Sequence, residues 1–120
     1  MGLVDYTRTA QQVDCQIRAF QPWPTAYTYW HRNEGEAMRL IVLRAVPDPN
    51  QSTNRPAGEV VLAQPEQLSI ACGQGTVINL VSVQPSGKKP QLIGEFMRGY
   101  RVQAGDRFGG EPAPFSQKVH

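Results

Sequence analysis

A succession of short strand-like segments limits this chain to a small number of folds. Each segment is rich in β-branched or aromatic residues, and turn-forming residues separate it from the next. Short strands in this number are typical of a small β-barrel. We predict strands at residues 26–31, 38–46, 59–63, 68–72 and 76–84, and a last short strand within residues 102–108.

A first helix is predicted to precede the strands. Thr9 and Gln12 fit a capping box, in which each side chain accepts a hydrogen bond from the other residue's backbone. Apolar residues then recur at helical spacing over residues 10–20. The prolines within residues 22–24 exclude a helical backbone, so the helix must end before them.

A second helix is predicted within residues 87–101, near the C-terminus. Pro90 suits the start of a helix, and Gly99 suits a left-handed cap at its end. The spacing of the apolar residues gives this helix one apolar face, which would close the core. That face is predicted to consist of Leu92, Ile93, Phe96, Met97 and Tyr100.

The length of 120 residues fits one domain. Residues 1–8 are interpreted as a leader into the first helix and the end of an interdomain linker. The domain itself is predicted to span residues 9–108, and residues 109–120 form a flexible tail with little to bury. The loop at residues 47–58 is polar and contains three prolines, and it is predicted to be disordered. Residues 73–75 predict a tight hairpin turn.

The net charge of +2 is too small to indicate a nucleic-acid binder by itself, but the cations are unevenly distributed. Residues 87–107 carry five cations and two anions, whereas residues 48–86 carry one cation and three anions. The conservative interpretation is that these charges are simply solvated. The alternative is that they bind a polyanion. The candidate residues are Lys88, Lys89, Arg98 and Arg101, with Arg39 and Arg44 on a strand as secondary candidates.

The sequence contains no convincing catalytic or metal-binding pattern. His31 stands alone at a strand end, where a histidine is more often a surface or packing residue than a general base. Cys15 and Cys72 lack a CxxC spacing, so we expect two reduced thiols in or near the core, without a disulfide or zinc. No apolar run approaches the roughly 20 residues that cross a bilayer, and no leader argues for export. We therefore expect a cytoplasmic protein that binds neither membrane nor metal.

Several segments, taken in order, resemble the C-terminal domain of the methionyl-tRNA formyltransferases. The segments are residues 17–26 (IRAFQPWPTA), 58–60 (GEV), 71–75 (ACGQG), 87–90 (GKKP) and 95–99 (EFMRG). The resemblance covers about residues 4–108. It implies a mainly β fold, a small and partly open Greek-key β-barrel of the OB-like type, with an N-terminal helix and a short helix near the C-terminus.

The resemblance also implies a division of labour within a longer protein. An N-terminal Rossmann-like domain would transfer the formyl group from 10-formyltetrahydrofolate. The barrel would hold initiator methionyl-tRNA through largely sequence-independent contacts, made here by the basic candidates named above. The catalytic Asn, His and Asp of the family belong to the N-terminal domain, and none of them can be matched here. The chain is therefore expected to bind no cofactor and to be inactive alone.

Two positions depart from the family pattern. The family usually has glycine where this chain has Thr25, which is expected to alter the turn after the prolines. The family usually places a small hydroxyl residue before the last helix, whereas this chain has Leu92 there, followed by Gly94. A glycine within a helix costs about 1 kcal/mol relative to alanine, so we expect a less stable helix. The loop at residues 47–58 also looks longer than the common connection.

Two other functions remain open from the sequence. Formyltransferases that act on nucleotide sugars or on folate carry similar barrels, and there the domain would support the catalytic half without touching RNA. A free-standing nucleic-acid binder of the OB type would stack bases on exposed aromatic residues. Tyr27, Tyr29 and Trp30 are the candidates for that role, but strand alternation allows only the tyrosines or the tryptophan to face outward.

Overall fold

The computed structural model describes residues 2–21, 25–32 and 36–110. Residues 22–24, with the prolines predicted to end the first helix, residues 33–35 and the tail beyond residue 110 lie outside this part of the chain. The helices are α1 (Ala10–Ala19) and α2 (Ile93–Gly99). The strands are β1 (Ala26–His31), β2 (Met38–Pro47), β3 (Val60–Gln64), β4 (Gln67–Ala71), β5 (Val77–Pro85), β6 (Gln91–Leu92) and β7 (Arg107–Gly109).

The strands form one antiparallel sheet in the order β3-β4-β5-β2-β1-β7, and β6 is added to β5. The two edges then meet, because Glu59 forms a β-bridge with Arg107. Phe108 donates its N–H to the carbonyl of Gly58 at 2.7 Å across the same seam. The sheet is therefore a nearly closed barrel, and the predicted fold class is confirmed.

Only glycine fits at position 58 in this seam. Gly58 has φ of +93°, and a Cβ atom there would lie 2.4 Å from the Phe108 carbonyl oxygen. The backbones at Gly58 and Phe108 can approach this closely only because glycine has no Cβ atom.

The core of the barrel is closed by aromatic side chains from β1 and from α2 with its C-cap residue. Trp30 of β1 contacts Phe96 and Tyr100 edge-on, with ring centroids 6.0 and 6.2 Å apart. Phe96 stacks on Tyr100 at 4.8 Å and has no exposed surface. Helix α2 is thus held against the barrel by these rings, as the sequence predicts for a core-closing helix.

The start of the chain is more closely packed than a leader would be. Leu3 forms a parallel bridge with Tyr27 of β1, and both Val4 and Tyr6 are buried in the core. The capping box is confirmed: Gln12 donates its N–H to Thr9 Oγ1 at 3.3 Å, and Thr9 donates its N–H to Gln12 Oε1 at 3.0 Å. The interpretation of residues 1–8 as the end of an interdomain linker stays a prediction.

Helix α2 begins later than expected, and two of its predicted features are wrong. Residues 91–92 pair with β5 as a strand, so Leu92 is turned outward and is 63% exposed. Gly99 is not left-handed, and the helix ends instead at Tyr100, whose backbone is extended. Glu95 Oε1 accepts the N–H of Leu92 at 3.2 Å, which is one half of a capping box. The other half, a side-chain oxygen at position 92 that accepts a helix N–H, is missing because leucine has no acceptor.

The prediction that the loop at residues 47–58 is disordered was wrong. Its backbone is tied to neighbouring strands at both ends, by Asp48 N–H to the Val77 carbonyl at 2.9 Å and by Gly58 N–H to the Ala71 carbonyl at 2.8 Å. The carboxylate of Asp48 accepts hydrogen bonds from Gln51 Nε2 at 2.8 Å and Asn79 Nδ2 at 3.1 Å. The polar residues that suggested disorder satisfy one another instead.

Candidate nucleic-acid interface

Arg39 and Arg44 lie on the same outer face of β2, although strict strand alternation would separate them. Their positions differ by five, so a regular strand would point one side chain inward. The pairing of β2 with β5 shifts in register on both sides of Arg44. This β-bulge leaves both arginines exposed while Val42 and Ala45 remain buried.

Arg39 is positioned by the neighbouring strand. It lies opposite Tyr29 in β1, and its guanidinium stands 4.4 Å from the ring centroid of Tyr27. Its carbonyl accepts the N–H of Ser86 at 3.3 Å, which joins β2 to the turn that follows β5. Arg44 lies about 17 Å farther along the strand at the usual rise per residue.

Lys88 and Lys89 are presented by the turn between β5 and β6. Gly87 has φ of +76° in this turn. Lys88 donates its N–H to the Pro85 carbonyl at 2.9 Å, and its own carbonyl accepts a hydrogen bond from Gln84 Nε2 at 2.9 Å. The backbone of the turn is therefore fixed while both lysine side chains are exposed. The turn follows the end of β5, next to Arg39.

Arg98 and Arg101 are also exposed, at the end of α2. Arg98 lies on the side of the helix where Gly94 approaches Glu66, the acidic residue between β3 and β4. Arg101 lies beside Trp30 and Arg32, close to the end of β1. Lys88, Lys89, Arg39 and Arg101 therefore lie near one end of the barrel, formed by the end of β1, the start of β2 and the end of β5, whereas Arg44 lies farther along β2.

None of the six candidates forms an ion pair within the described residues, although Arg98 lies beside Glu66 next to Gly94. Within residues 2–21, 25–32 and 36–110, the ion pairs are Arg8 with Asp5, Arg18 with Asp14 and Arg55 with Glu59. None of these pairs involves a candidate residue. Cations that form no ion pair remain available to attract an external anion.

Arg32 is a cation that the sequence reasoning missed. Its guanidinium stands 5.0 Å from the ring centroid of Trp30, and it lies near Arg101. In the sequence, the one indication of such a role was that Arg32 follows Trp30 and His31 at the end of a predicted strand.

Tyr27 and Tyr29 face outward and are half-buried, whereas Trp30 is buried. The predicted separation of these residues on two faces of the strand is therefore confirmed.

Other reactive side chains are held in structural roles. Nε2 of His31 lies 2.7 Å from the Gly110 carbonyl at the barrel surface. Cys72 is buried, and burial raises the pKa of its thiol to about 12, which keeps it protonated and unreactive. Cys15 is exposed on α1, so the expectation that both thiols lie in or near the core was wrong for this residue.

Two further kinds of feature, a metal-binding cluster and a membrane-spanning helix, are absent from the described residues. No three side chains among His, Cys, Asp and Glu come together there as a group that could hold a metal ion. No helix in the same part of the chain is both long and apolar enough to span a membrane.

Fold and surface together define a small β-barrel domain that presents unpaired cations at one end. The sequence model of the family "Formyl transferase, C-terminal domain" matches residues 1–101. The chain therefore belongs to this family of formyltransferase C-terminal domains.

Relatives that carry a curated name support the same family assignment. The methionyl-tRNA formyltransferase of Magnetococcus marinus is 34% identical over 108 residues, which are 90% of this chain and 32% of the relative. The protein of the same name from Bacillus subtilis is 35% identical over 107 residues, or 89% of this chain and 32% of the relative. That from a Roseiflexus species is 31% identical over 121 residues, or 99% and 35%. The chain thus spans about one third of the length of these relatives.

Proposed function

We propose that this chain is the tRNA-holding domain of a methionyl-tRNA formyltransferase. In this proposal the barrel binds initiator methionyl-tRNA, and an N-terminal catalytic domain of the same protein transfers the formyl group from 10-formyltetrahydrofolate. The relatives that carry this name, together with the exposed and unpaired cations at one end of the barrel, support the proposal. The isolated chain would then bind RNA without catalysing formylation and without binding the folate donor.

The observation that carries the proposal is that the candidate cations form no ion pair within the described residues. Cations that are not neutralised internally can release the counterions of a phosphate backbone when they bind it. Such contacts hold and orient the RNA without reading its sequence. With roughly four phosphate contacts, the logarithm of the affinity should fall with the logarithm of the salt concentration at a slope of about −3.

The proposal is tested by filter binding of the chain to initiator tRNA over a range of salt concentrations. The variant Lys88→Glu plus Lys89→Glu should bind more weakly at low salt and show a shallower slope. The matched control is Arg8→Glu plus Arg18→Glu, which changes the net charge equally at two cations that already pair with acids. The control variant should lose much less affinity than the lysine variant.

Two outcomes would contradict the proposal. If the lysine variant binds like the unchanged chain at low salt, the RNA does not contact this turn. If the unchanged chain shows no salt-dependent binding to tRNA at all, the domain instead supports the catalytic half, as in formyltransferases that act on nucleotide sugars or on folate.

A further inference from the structure

A cleft of about 520 Å³ opens where the end of α2 meets the end of β1. This volume lies within the range of pockets that hold small organic ligands. Its walls combine two cations, two aromatic rings and a carboxylate, and of these only Arg101 belongs to the cationic candidates described above. The residues are Arg32, Arg101, Trp30, Tyr100 and Asp106.

Asp106 supplies a fixed hydrogen-bond acceptor to this cleft. Asp106 is only 4% exposed. Its Oδ2 accepts hydrogen bonds from Trp30 Nε1 and from the Gln103 N–H, both at 3.0 Å. Oδ1 accepts no hydrogen bond from any described residue. The backbone of Asp106 is also held, since its N–H bonds to the Gln103 carbonyl at 3.0 Å and its carbonyl accepts the Val60 N–H at 2.8 Å. Because Asp106 lines the cleft and its Oδ2 and backbone are held, Oδ1 is the oxygen left to accept a hydrogen bond from a ligand.

The two arginines differ in their surroundings. The Arg32 guanidinium lies over Trp30, with Cζ 5.0 Å from the ring centroid, and the residue remains exposed. A guanidinium plane backed by an indole presents its other face as a flat surface, on which an unpaired base can stack. Arg101 is exposed and makes no ring contact or ion pair within the described residues, so it is available to a phosphate.

We propose that this cleft takes one unpaired nucleotide whose base carries an exocyclic amino group. The base stacks on Arg32, its amino group donates to Asp106 Oδ1, and its phosphate contacts Arg101. Adenine, cytosine and guanine each offer such an amino group on the Watson–Crick edge. Uracil offers one N3–H between two carbonyl oxygens, and those oxygens would lie close to the carboxylate and repel it. This inference rests on the proposed function and adds a base preference to it.

Short single-stranded oligonucleotides test the inference on the unchanged 120-residue chain. Binding of tetranucleotides of A, C or U is measured by titration, with the indole N–H resonance of Trp30 in ¹H–¹⁵N spectra as a local reporter. We expect A and C tetranucleotides to shift this resonance and to bind about tenfold more tightly than U, as for one charge-assisted hydrogen bond. Equal affinity for the C and U tetranucleotides would overturn the inference.

The variant Asp106→Asn should reverse the base preference of the cleft, which would not happen if Asp106 had a purely structural role. The amide oxygen must take the place of Oδ2, because that position accepts two N–H groups. The amide NH₂ then faces the cleft as a donor, and the preference should change toward the carbonyl oxygens of uracil. An unchanged preference in a folded variant would contradict the inference. Should the variant not fold, the base preference of the unchanged chain still decides the question.

The arginines are distinguished by replacements that keep the charge. Arg32→Lys should weaken binding because lysine offers no plane for stacking, whereas Arg101→Lys should leave it nearly unchanged. Arg101→Gln should lower the salt slope by about 0.7, the value for one phosphate of a single strand. The control is Arg18→Gln, at an exposed cation of α1 paired with Asp14. If Arg32→Lys and Arg101→Lys behave alike, the stacking assignment is wrong.

These results are separable from those on tRNA. If the salt-dependent binding of tRNA through Lys88 and Lys89 holds while the tetranucleotides show no base preference, only the cleft inference fails. If tetranucleotides bind with the expected preference while tRNA binding ignores the lysine pair, the cleft stands and the placement of the tRNA is wrong.

Discussion

Replacing Phe96 with alanine should be among the most damaging changes in this domain. The ring has no exposed surface and lies between Trp30 and Tyr100, with centroids 6.0 and 4.8 Å away. Burying a phenylalanine contributes about 1.5–3 kcal/mol by transfer from water alone. The cavity left behind raises the usual loss to about 3–5 kcal/mol. We therefore expect the free energy of unfolding to fall by about 4 kcal/mol.

The size of this effect follows from how α2 is held. The helix has seven residues, and a helix this short is not stable by itself in water. Its attachment to the barrel depends on Phe96 and on the buried Ile93. Losing the ring should therefore also loosen Tyr100, Arg101 and the cleft beside them.

The measurement is urea unfolding followed by Trp fluorescence and by circular dichroism. With an m-value of about 1.5 kcal/mol per M, the urea midpoint should drop by about 2.5 M. The matched control is Leu92→Ala, which removes an apolar side chain one residue before the same helix but at a site that is 63% exposed. The control should change the free energy of unfolding by less than about 0.5 kcal/mol. Comparable losses in the two variants, or a loss below about 1.5 kcal/mol for Phe96→Ala, would refute this account of the core.

Three further predictions concern the barrel seam, the ordered loop and the turn before β1. Gly58→Ala should cost more than about 2 kcal/mol in urea unfolding, because its Cβ would meet the Phe108 carbonyl at 2.4 Å and its φ is +93°. The pKa of Asp48 is held below its usual value, chiefly by the hydrogen bond from Gln51. Its stabilising contribution is present above the unfolded pKa and is lost as pH falls through the folded pKa, so Asp48→Asn should flatten the acid limb of the stability profile. Thr25 has φ of +82°, which costs a β-branched residue about 1–2 kcal/mol. Thr25→Gly should therefore raise the thermal midpoint, and a lower midpoint would show that the threonine side chain contributes more than the strain costs.

The sequence predicts the strands well because the alternation of residues along a strand and the residue types in a turn are both properties of short segments of the chain. The hairpin turn is an example: Gln74 and Gly75 have φ of +58° and +74°, the left-handed conformations that a tight turn requires. The position of Thr25 is another, since glycine there would relieve the positive φ that the structure shows. Local patterns did not reveal that residues 91–92 join β5, because that pairing depends on a strand nearby in space. The helical spacing therefore placed Leu92 on the wrong face.

The candidate interface was less predictable, for the same reason. Sequence could list Arg39 and Arg44 as cations on a strand, but alternation alone would have put them on opposite faces. Only the bulge against β5 brings both outward. Arg32 and Asp106 lie 74 positions apart in the chain, and no local pattern joins them. Their meeting depends on Trp30, which contacts the guanidinium with its ring and the carboxylate with its N–H.

This arrangement separates the two parts of the cationic surface by their dependence on the core. Lys88 and Lys89 are held by hydrogen bonds within a turn, from Lys88 N–H to Pro85 and from Gln84 to the Lys88 carbonyl. Arg101 and the cleft depend instead on the packing of α2 through Phe96. Because the lysine turn does not use the aromatic cluster, Phe96→Ala should weaken the proposed oligonucleotide binding at the cleft more than the proposed salt-dependent tRNA binding at the turn. Equal losses at both would mean that the whole end of the barrel responds to the core as one unit.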